Sequence, residues 1–241
     1  MRDENSSIKA LILNSGTGSR LGDITAHKCK CMTEIFDGKT ILDEQLKRLI
    51  ECGITDICIT TGPFADDLKS YILENYESNG VNFIFVNNPI YDRTNYIYSI
   101  YLAREYLDDS ILLLHGDLVF ETCVLQDILA SPKSVMVVDS TKPLPPKDFK
   151  AVVESGRIKR VGVDEFENAF YAQPLYKLIK KDWDIWLDEI VRFCDTGNTS
   201  VYAENAMNNV SDKMELLPLD VLGRMCFEID NPEDLAYAKS K

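Results

Sequence analysis

The segment IKALILNSGTGSRLG, residues 8–22, leads from an apolar run into a loop that contains Gly16, Gly18 and Arg20. The apolar run predicts a buried β-strand, and the glycines mark the place where that strand ends. Glycine lets backbone N–H groups approach phosphate oxygens that a Cβ atom would keep away. Because Lys30 follows as a further cation, the segment predicts a strand that opens into an anion-binding loop.

Two common phosphate motifs do not fit this loop. The dinucleotide fingerprint G-x-G-x-x-G and the P-loop G-x-x-x-x-G-K-S/T both require a glycine at the position of Leu21. The pair Gly16 and Gly18 is by itself also compatible with an ordinary strand-to-helix turn. The chemistry of the loop is therefore decided by the rest of the chain.

Beyond the loop, apolar runs alternate with amphipathic segments. This alternation is typical of a parallel sheet with right-handed helical crossovers, whose ligands lie beyond the carboxyl ends of the strands. We therefore predict one α/β domain over residues 1–241, with a Rossmann-like, mostly parallel sheet flanked by helices. The predicted strands cover residues 8–14, 56–62, 81–88, 110–117 and 134–140, and the predicted helices cover residues 40–53, 64–76 and 94–107.

The second half of the chain has a different pattern. Residues 147–164 predict an antiparallel hairpin around Ser155–Gly156, and residues 180–194 predict a helix. Residues 224–241 predict a last strand and a closing helix. We therefore expect a small acceptor-binding insertion, a lid over the open face of the sheet, at approximately residues 146–221.

Composition limits the partners of the protein. The net charge of −13 argues against nucleic acid as the main partner, because phosphate backbones require a basic surface. No apolar stretch reaches the roughly 18 residues of a membrane span, so we expect no membrane insertion. The polar residues 1–10 do not resemble a signal peptide, and a cytoplasmic protein is predicted.

The seven cysteines are an odd number, and most of them lie in apolar segments. Reduced, buried thiols are therefore predicted. Cys29 and Cys31 form a C-x-C pair, but neither a second pair nor a histidine cluster accompanies them. A zinc site is consequently not predicted.

Residues 13–32, LNSGTGSRLG through KCKCM, resemble the signature L-x-x-G-x-G-S/T-R-L/M…P-K-x-L/M of nucleotidyltransferases that activate sugar phosphates and small alcohol phosphates. The resemblance implies a GT-A-like fold, a loop that wraps a triphosphate, and catalytic roles for Arg20 and Lys30. The sequence departs from this signature at two places. The pair Asn14–Ser15 replaces two small residues, and Cys29 replaces the proline before the lysine.

Three further segments are similar to one branch of that family. Residues 87–107 resemble x-N-x-x-F/Y-x-x-x-N-x-x-F/Y-S-L/I of cytidylyltransferases for phosphocholine, 2-aminoethylphosphonate and phosphoglutamine. LLLHGDLVFE and CFEIDNPEDLAYA match the segments whose aspartates hold Mg²⁺, which implies Asp117 and Asp230 as ligands. Glu228 is a possible third ligand, because it shares a strand face with Asp230. Helix capping is the alternative role for each aspartate.

The resemblance also implies nucleotide contacts along the loop and at the next strand ends. Asn95 and Ser99 lie one helical turn apart, and helix-start capping is their alternative role. The expected nucleotide-binding residues are Leu13, Asn14, Ser15, Gly16, Thr17, Gly18, Ser19, Arg20, Thr61, Gly62, Asn87, Asn95 and Ser99.

The acceptor is expected to lie in the second half of the chain. The segment VYAENAMNN resembles the acceptor motif Y/W-x-D/E-N, and a cationic head group favours an aromatic face beside a carboxylate. Val163 stands where the family usually has a lysine, and Lys150 is the expected substitute. Trp183 and Trp186 have the helical spacing of core residues. The expected acceptor-binding residues are Lys150, Tyr171, Gln173, Tyr202, Glu204 and Asn205.

The sequence therefore predicts an Mg²⁺-dependent enzyme that transfers a cytidylyl group from CTP to a small phosphate or phosphonate acceptor, such as phosphocholine or 2-aminoethylphosphonate, and releases pyrophosphate. Two alternatives stay open: a sugar-1-phosphate nucleotidyltransferase that uses UTP or dTTP, and a nucleotide-binding regulatory domain. A homodimer and a fusion to a partner domain are both compatible with the sequence.

Overall fold

The structure, a computed structural model, describes residues 8–77 and 80–241. The strands in these ranges are β1 Ile8–Asn14, β2 Glu34–Phe36, β3 Lys39–Thr40, β4 Asp56–Thr61, β5 Asn82–Asn87, β6 Ser110–His115, β7 Leu118–Phe120, β8 Ser134–Asp139, β9 Lys150–Glu154, β10 Arg157–Gly162, β11 Ala169–Leu178, β12 Leu216–Asp220 and β13 Cys226–Glu228. The helices are α1 Ile41–Glu51, α2 Ala65–Tyr76, α3 Tyr96–Ala103, α4 Thr122–Ala130, α5 Lys180–Asp195, α6 Ala203–Val210 and α7 Pro232–Lys239.

The centre of the main sheet is parallel, as predicted. β1 pairs in parallel with β4 on one side and with β6 on the other, and β5 continues the sheet beyond β4. In this register Leu13 lies beside His115 and Asn14 lies beside Thr61. The carboxyl ends of three strands therefore meet at one edge, and helices flank the sheet, so the predicted fold class is confirmed.

The strands of residues 146–221 extend this sheet. β11 runs antiparallel to β6, β8 and β9, β10 pairs with β9, and β12 runs parallel to β8. Most of β11 is buried, which is typical of a strand inside a sheet. The sequence suggested that residues 146–221 form a lid over the open face, but the strands of this segment lie in the plane of the sheet. The role of the segment in acceptor binding stays a prediction.

Two apolar clusters cover the two faces of the sheet. Successive residues of β1 alternate between them, so that Leu11 packs with one cluster and Ile12 with the other. Trp183 and Trp186 are fully buried in the first cluster, where their indole N–H groups donate to backbone carbonyls. Their predicted core role is confirmed. The seven cysteines of the described residues are free thiols.

Helix α1 anchors the segment that carries Asp117. Its N-terminus has a capping box between Thr40 and Asp43, which satisfies exposed backbone N–H groups. One turn further on, the Gln45 side chain donates to the carbonyls of His115 and Leu118, at 2.9 and 2.8 Å. The turn between β6 and β7 is thereby held against the helix.

A small antiparallel sheet brings the end of the chain to the same edge. β13 pairs with β7, so that Glu228 lies opposite Leu118. The backbone N–H of Ile229 then donates to the Asp117 carbonyl at 3.0 Å. Asp117 and Asp230, although far apart in sequence, are therefore neighbours. Across the described residues, no helix has both the length and the apolar character needed to cross a membrane.

Candidate active site

A cavity of about 420 Å³ opens at the carboxyl ends of β1 and β6. This is the edge at which parallel α/β sheets bind ligands. The cavity is lined by Leu13, Asn14, Ser15, Gly16, Thr17, Gly18, Ser19, Arg20, Lys30, Asn88, Tyr91, Thr94, Asn95, Tyr96, Ser99, His115, Gly116, Asp117, Lys147, Asp148, Phe149, Val163, Tyr202, Glu228 and Asp230.

The loop that contains Gly16, Gly18 and Arg20, here called the glycine loop, forms one wall of the cavity. Gly18 has a φ of +66°, and a Cβ atom there would lie 3.0 Å from the Cβ of Lys30. A Cβ atom at Gly16 would meet nothing within 4 Å, so the backbone beside it faces open space. Gly18 is therefore required by conformation and packing, whereas the space at Gly16 leaves the backbone accessible to an anion.

Lys30 lies at the end of this loop, between two carboxylates. Its ammonium group donates to Asp117 at 2.5 Å and to Asp230 at 2.7 Å. Burial opposes the charged form, but the two carboxylates outweigh it and raise the pKa of Lys30 above its ordinary value. The neighbouring Cys29 thiol donates to the Pro63 carbonyl at 3.2 Å. Lys30 thus remains charged, and cysteine in place of proline leaves it directed into the cavity.

Arg20 approaches the same carboxylate pair from the solvent side. Its guanidinium group donates to Asp230 at 2.9 Å, while its side chain remains 70% exposed. An exposed arginine can move to follow a bound anion, whereas the half-buried Lys30 is held in place. The two predicted catalytic cations therefore converge on one point.

Neither aspartate has the helix-capping role that was its alternative. Helix α4 begins after Glu121, and helix α7 is capped by Asn231 with Asp234 in a capping box. Asp234 also accepts a hydrogen bond from the backbone N–H of Asp230 at 2.9 Å. Both Asp117 and Asp230 are consequently available to a cation, and Asp234 holds the backbone of Asp230 in position.

His115 and Glu228 form the floor of the cavity. His115 Nδ1 lies 2.8 Å from Glu228 Oε1. Burial, together with the negative charge of Asp117, raises the pKa of Glu228 to about 7. One ligand atom each from His115, Asp117 and Glu228 lie within 4.8 Å of one another. The sequence indicated Glu228, and it placed His115 at a predicted strand end without assigning it a role in the site.

A second wall of the cavity is uncharged. The Asn88 side chain donates to Ser99 Oγ at 3.1 Å, and Ser99 donates to Ser15 Oγ at 2.9 Å. Asn95 caps α3 by accepting from the backbone N–H of Tyr96 and also lines the cavity. Both roles considered for Asn95 are therefore compatible with its position.

Three residues expected to bind the nucleotide lie outside the cavity lining. Thr61 donates to Asn87 at 3.3 Å, and Gly62 packs against the backbone of Ser15. Asn87 is exposed, whereas Asn88 lines the cavity. The motif could have shown this, because its first asparagine falls on position 88. A one-residue shift along a strand end reverses the side to which a side chain points.

The acceptor residues are only partly brought together. Tyr202 lines the cavity with Tyr96 and Phe149, at ring-centroid distances of 5.9 and 5.0 Å from them. Glu204 is buried behind this aromatic wall, where it accepts hydrogen bonds from the hydroxyl groups of Tyr96 and Tyr176. Glu204 therefore orients the wall and does not itself line the cavity.

The other four expected acceptor residues do not line the cavity. Lys150 is buried, donates to the Pro145 carbonyl at 2.6 Å and lies 4.2 Å from the centroid of the Phe166 ring. Tyr171 lies 3.4 Å from Asp148, Gln173 is buried, and Asn205 is exposed. The cations that line the cavity include Lys147, three residues before the expected Lys150. Lining residues that the sequence did not indicate are Tyr91, Thr94, Tyr96, Lys147, Asp148 and Phe149, whereas Asn88, His115 and Gly116 lie at predicted strand ends and were given no specific role.

A family model matches the part of the chain that carries the glycine loop, Lys30 and Asp117. The model of the nucleotidyl transferase family covers residues 9–138, more than half of the chain. The chain belongs to this family.

Relatives of this nucleotidyl transferase are named for related activities. CMP-5'-(3-aminopropyl)phosphonate synthase of Streptomyces rubellomurinus is 34% identical over 139 residues, 58% of this chain and 22% of that protein. CTP:phosphoglutamine cytidylyltransferase of Campylobacter jejuni is 31% identical over 141 residues, 56% of this chain and 53% of that protein. Choline-phosphate cytidylyltransferase of Streptococcus pneumoniae is 26% identical over 94% of this chain and 95% of that protein. The matches thus span about half or less of the first two relatives.

Two solved structures have the same fold as this nucleotidyl transferase. CTP:phosphocholine cytidylyltransferase from Streptococcus pneumoniae superposes with a TM-score of 0.77 at 20% identity, over 97% of this chain and 98% of that chain. The inositol-1-phosphate CTP transferase from T. maritima gives a TM-score of 0.78 at 22% identity, over 98% and 96%. The nucleotidyltransferase fold, which is GT-A-like, is therefore confirmed.

Proposed function

We propose that this nucleotidyl transferase moves a cytidylyl group from CTP to the phosphate or phosphonate of a small acceptor with a cationic head group. The observation that carries this proposal is Lys30, held between Asp117 and Asp230 at the end of the glycine loop. It is supported by the aromatic wall across the same cavity and by the activities for which the relatives are named.

The carboxylates of the site fit a divalent cation. Asp117 and Asp230 lie close enough to contact a single ammonium group, and burial together with the negative charge of Asp117 raises the pKa of Glu228 beside them. Mg²⁺ prefers one or two carboxylates together with phosphate oxygens and water. Asp117 and Asp230, with Glu228 beside them, would hold the ion, which when bound neutralises charge on the phosphates.

The protein groups then orient and neutralise the donor. Backbone N–H groups at Gly16 contact the triphosphate, and Arg20 and Lys30 compensate its charge. Transfer at phosphorus needs positioning and charge stabilisation more than covalent help from the protein. An acceptor phosphate oxygen attacks the α-phosphorus in line, the bond to the β-phosphate breaks, and pyrophosphate leaves. No general base is needed, because the acceptor oxygen is already an anion.

The acceptor lies between charged and aromatic groups. Lys147 lines the cavity beside Phe149 and has no ion-pair partner among residues 8–77 and 80–241. It would contact the acceptor phosphate in the role that the sequence suggested for Lys150. The rings of Tyr202 and Tyr96, with the carboxylate of Glu204 behind them, would attract a cationic head group.

A pyrophosphate-release assay tests the proposal. The purified protein is incubated with Mg²⁺ and each of four NTPs, against phosphocholine, 2-aminoethylphosphonate, glutamine phosphate and hexose 1-phosphates. We expect release with CTP and an acceptor that carries an amine or a choline group. Release with UTP or dTTP and a hexose 1-phosphate would contradict the proposal and favour a sugar-nucleotide enzyme, and nucleotide binding without any turnover would favour a regulatory domain.

A further inference from the structure

A directed chain of hydrogen bonds runs along the uncharged wall of the cavity. The backbone N–H of Ile90 donates to Asn88 Oδ1 at 3.1 Å. The Asn88 amide nitrogen donates to Ser99 Oγ at 3.1 Å, and the Ser99 hydroxyl donates to Ser15 Oγ at 2.9 Å. Asn88 and Ser99 are buried, so neither exchanges these partners for bulk water.

The direction of this chain is set at its beginning. A backbone N–H can only donate, so the Asn88 atom that faces Ile90 is the amide oxygen. The amide nitrogen, an obligate donor, therefore faces Ser99. A hydroxyl that accepts in this way keeps its own proton for the next partner. The Ser99 hydroxyl therefore donates a hydrogen bond to Ser15 Oγ, and the Ser15 hydroxyl is left to donate to a group in the cavity.

The backbone at Ser15 is fixed by its surroundings. A Cβ atom at Gly62 would lie 2.3 Å from the Ser15 carbonyl oxygen, so the two segments are in close contact. The neighbouring Asn14 side chain packs on Gly116, where an added Cβ atom would lie 1.6 Å from Asn14 Oδ1. The Asn14 side chain thus packs on Gly116, although its Nδ2 atom has no hydrogen-bond partner among the described residues, and both Asn14 and Ser15 line the cavity.

The position of Ser15 along the cavity indicates what it contacts. The cations and carboxylates of the site, including Lys30 and Asp117, gather at the glycine loop, where a triphosphate is neutralised. The wall formed by Ser15, Asn88 and Ser99 carries no formal charge. A nucleotide with its phosphates on the loop therefore places its base against this wall.

We propose that the Ser15 hydroxyl donates a hydrogen bond to N3 of the base and so selects cytosine over uracil. Cytosine N3 is an acceptor, whereas uracil carries a proton on N3. With uracil, the Ser15 proton would be left without an acceptor in a partly buried site, and unpaired polar groups of this kind give large discrimination. This inference rests on the proposed use of CTP and identifies the residues that select it.

Two variants test the direction of the chain. Ser15→Ala removes the donor, and we expect the ratio of kcat/KM for CTP to that for UTP to fall about tenfold. In Asn88→Asp the new carboxylate cannot donate a hydrogen bond. The Ser99 hydroxyl then donates to this carboxylate, and the Ser15 hydroxyl in turn donates to Ser99 Oγ. Only lone pairs of Ser15 then face the base, and we expect UTP to gain relative to CTP.

Thr60→Val is the matched control. Thr60 is a buried hydroxyl near the end of the neighbouring strand β4, where it accepts from the backbone N–H of Asn14 at 3.2 Å, and it makes no hydrogen bond to Ile90, Asn88, Ser99 or Ser15. The CTP-to-UTP ratio of this variant should stay at the wild-type value. Dissociation constants for CTP and UTP without acceptor, and the midpoint of thermal unfolding, are measured for every variant.

The outcomes separate this inference from the proposed function. A wild-type ratio retained in Ser15→Ala overturns the inference while CTP turnover stands. If Asn88→Asp fails to fold, Ser15→Ala and the binding constants still decide the question. Wild-type protein that turns over no CTP with any acceptor contradicts the proposed function, and wild-type protein that binds CTP and UTP equally overturns the inference alone.

Discussion

At the scale of single residues, the site depends on one lysine that holds two carboxylates together. Without the Lys30 ammonium, Asp117 and Asp230 would repel each other, and the phosphates of the donor would lose their half-buried cation. Arg20, which is mostly exposed, is free to move and cannot replace a fixed charge. The role of Lys30 is therefore tested by its removal.

We expect Lys30→Ala to lower kcat about 10²–10³-fold, the effect typical of one lost electrostatic contact to a transition state. Folding should be retained, since the side chain lines the cavity and belongs to none of the apolar clusters of the described residues. Lys28→Ala, two positions earlier and outside the cavity lining, is the matched control and should keep its activity. Near wild-type turnover by Lys30→Ala in the pyrophosphate assay would refute the assigned role.

Lys147 provides a second test at this scale. Because it lines the cavity beside the aromatic wall, Lys147→Ala should raise the KM for the acceptor about tenfold and leave the KM for CTP unchanged. Lys150→Met removes a lysine that is paired with Pro145 and Phe166, and should affect stability more than the acceptor KM. The opposite pattern in steady-state kinetics would restore Lys150 as the acceptor cation.

At the scale of elements, the N-terminus of α1 is fixed by a single carboxylate. Asp43 accepts hydrogen bonds from Thr40 and from the hydroxyls of Tyr71 and Tyr76. Burial raises the pKa of Asp43, but these hydrogen bonds outweigh it and hold the pKa below its ordinary value. A carboxyl whose pKa is lower in the folded state stabilises the fold above its unfolded pKa and loses that contribution as the pH falls through its folded pKa.

Asp43→Asn should therefore lower the free energy of unfolding by about 1–2 kcal/mol at pH 7, the cost typical of a lost cap. The difference from wild type should shrink as the pH falls from about 4, the ordinary pKa of an aspartate, through the lower pKa of folded Asp43. Urea unfolding at several pH values measures this difference in the free energy of unfolding. Asp66→Asn, an exposed acid in the first turn of α2, is the control and should show a smaller difference. A difference independent of pH would contradict this account of α1.

The elements also show which features the sequence could predict. Local periodicity was sufficient for β1, β4, β5, β6 and β8 and for helices α1, α2 and α3, because the pattern of each segment is set by its own burial. The direction of β11 was not predictable, since pairing with β6 and β8 depends on contacts between distant segments. Motif spacing located Asp117 and Asp230, and the strand-end rule pointed to the segment of His115, but the place of Lys147 in the cavity is recognised only in the folded chain.

At the scale of the whole molecule, β11 joins the two halves of the chain in one sheet. It pairs with β6 of the first half of the chain, which carries the glycine loop, and with β9 of the predicted acceptor segment, residues 146–221. A segment that shares the hydrogen bonds and both apolar clusters of a sheet cannot unfold without exposing that sheet. The acceptor segment and the glycine-loop half are therefore expected to unfold together.

Two thiols, one in each half, report on this coupling. Cys58 is buried in β4 and Cys194 is buried in α5, so pulsed thiol labelling with mass spectrometry follows each half during urea unfolding. We expect one common midpoint for the two thiols. Leu46→Ala, in the core of the first half, should lower both midpoints equally, because a cavity of this kind costs about 2–5 kcal/mol in a cooperative unit. Separate midpoints, or a shift confined to Cys58, would show that residues 146–221 behave as an independent lid after all.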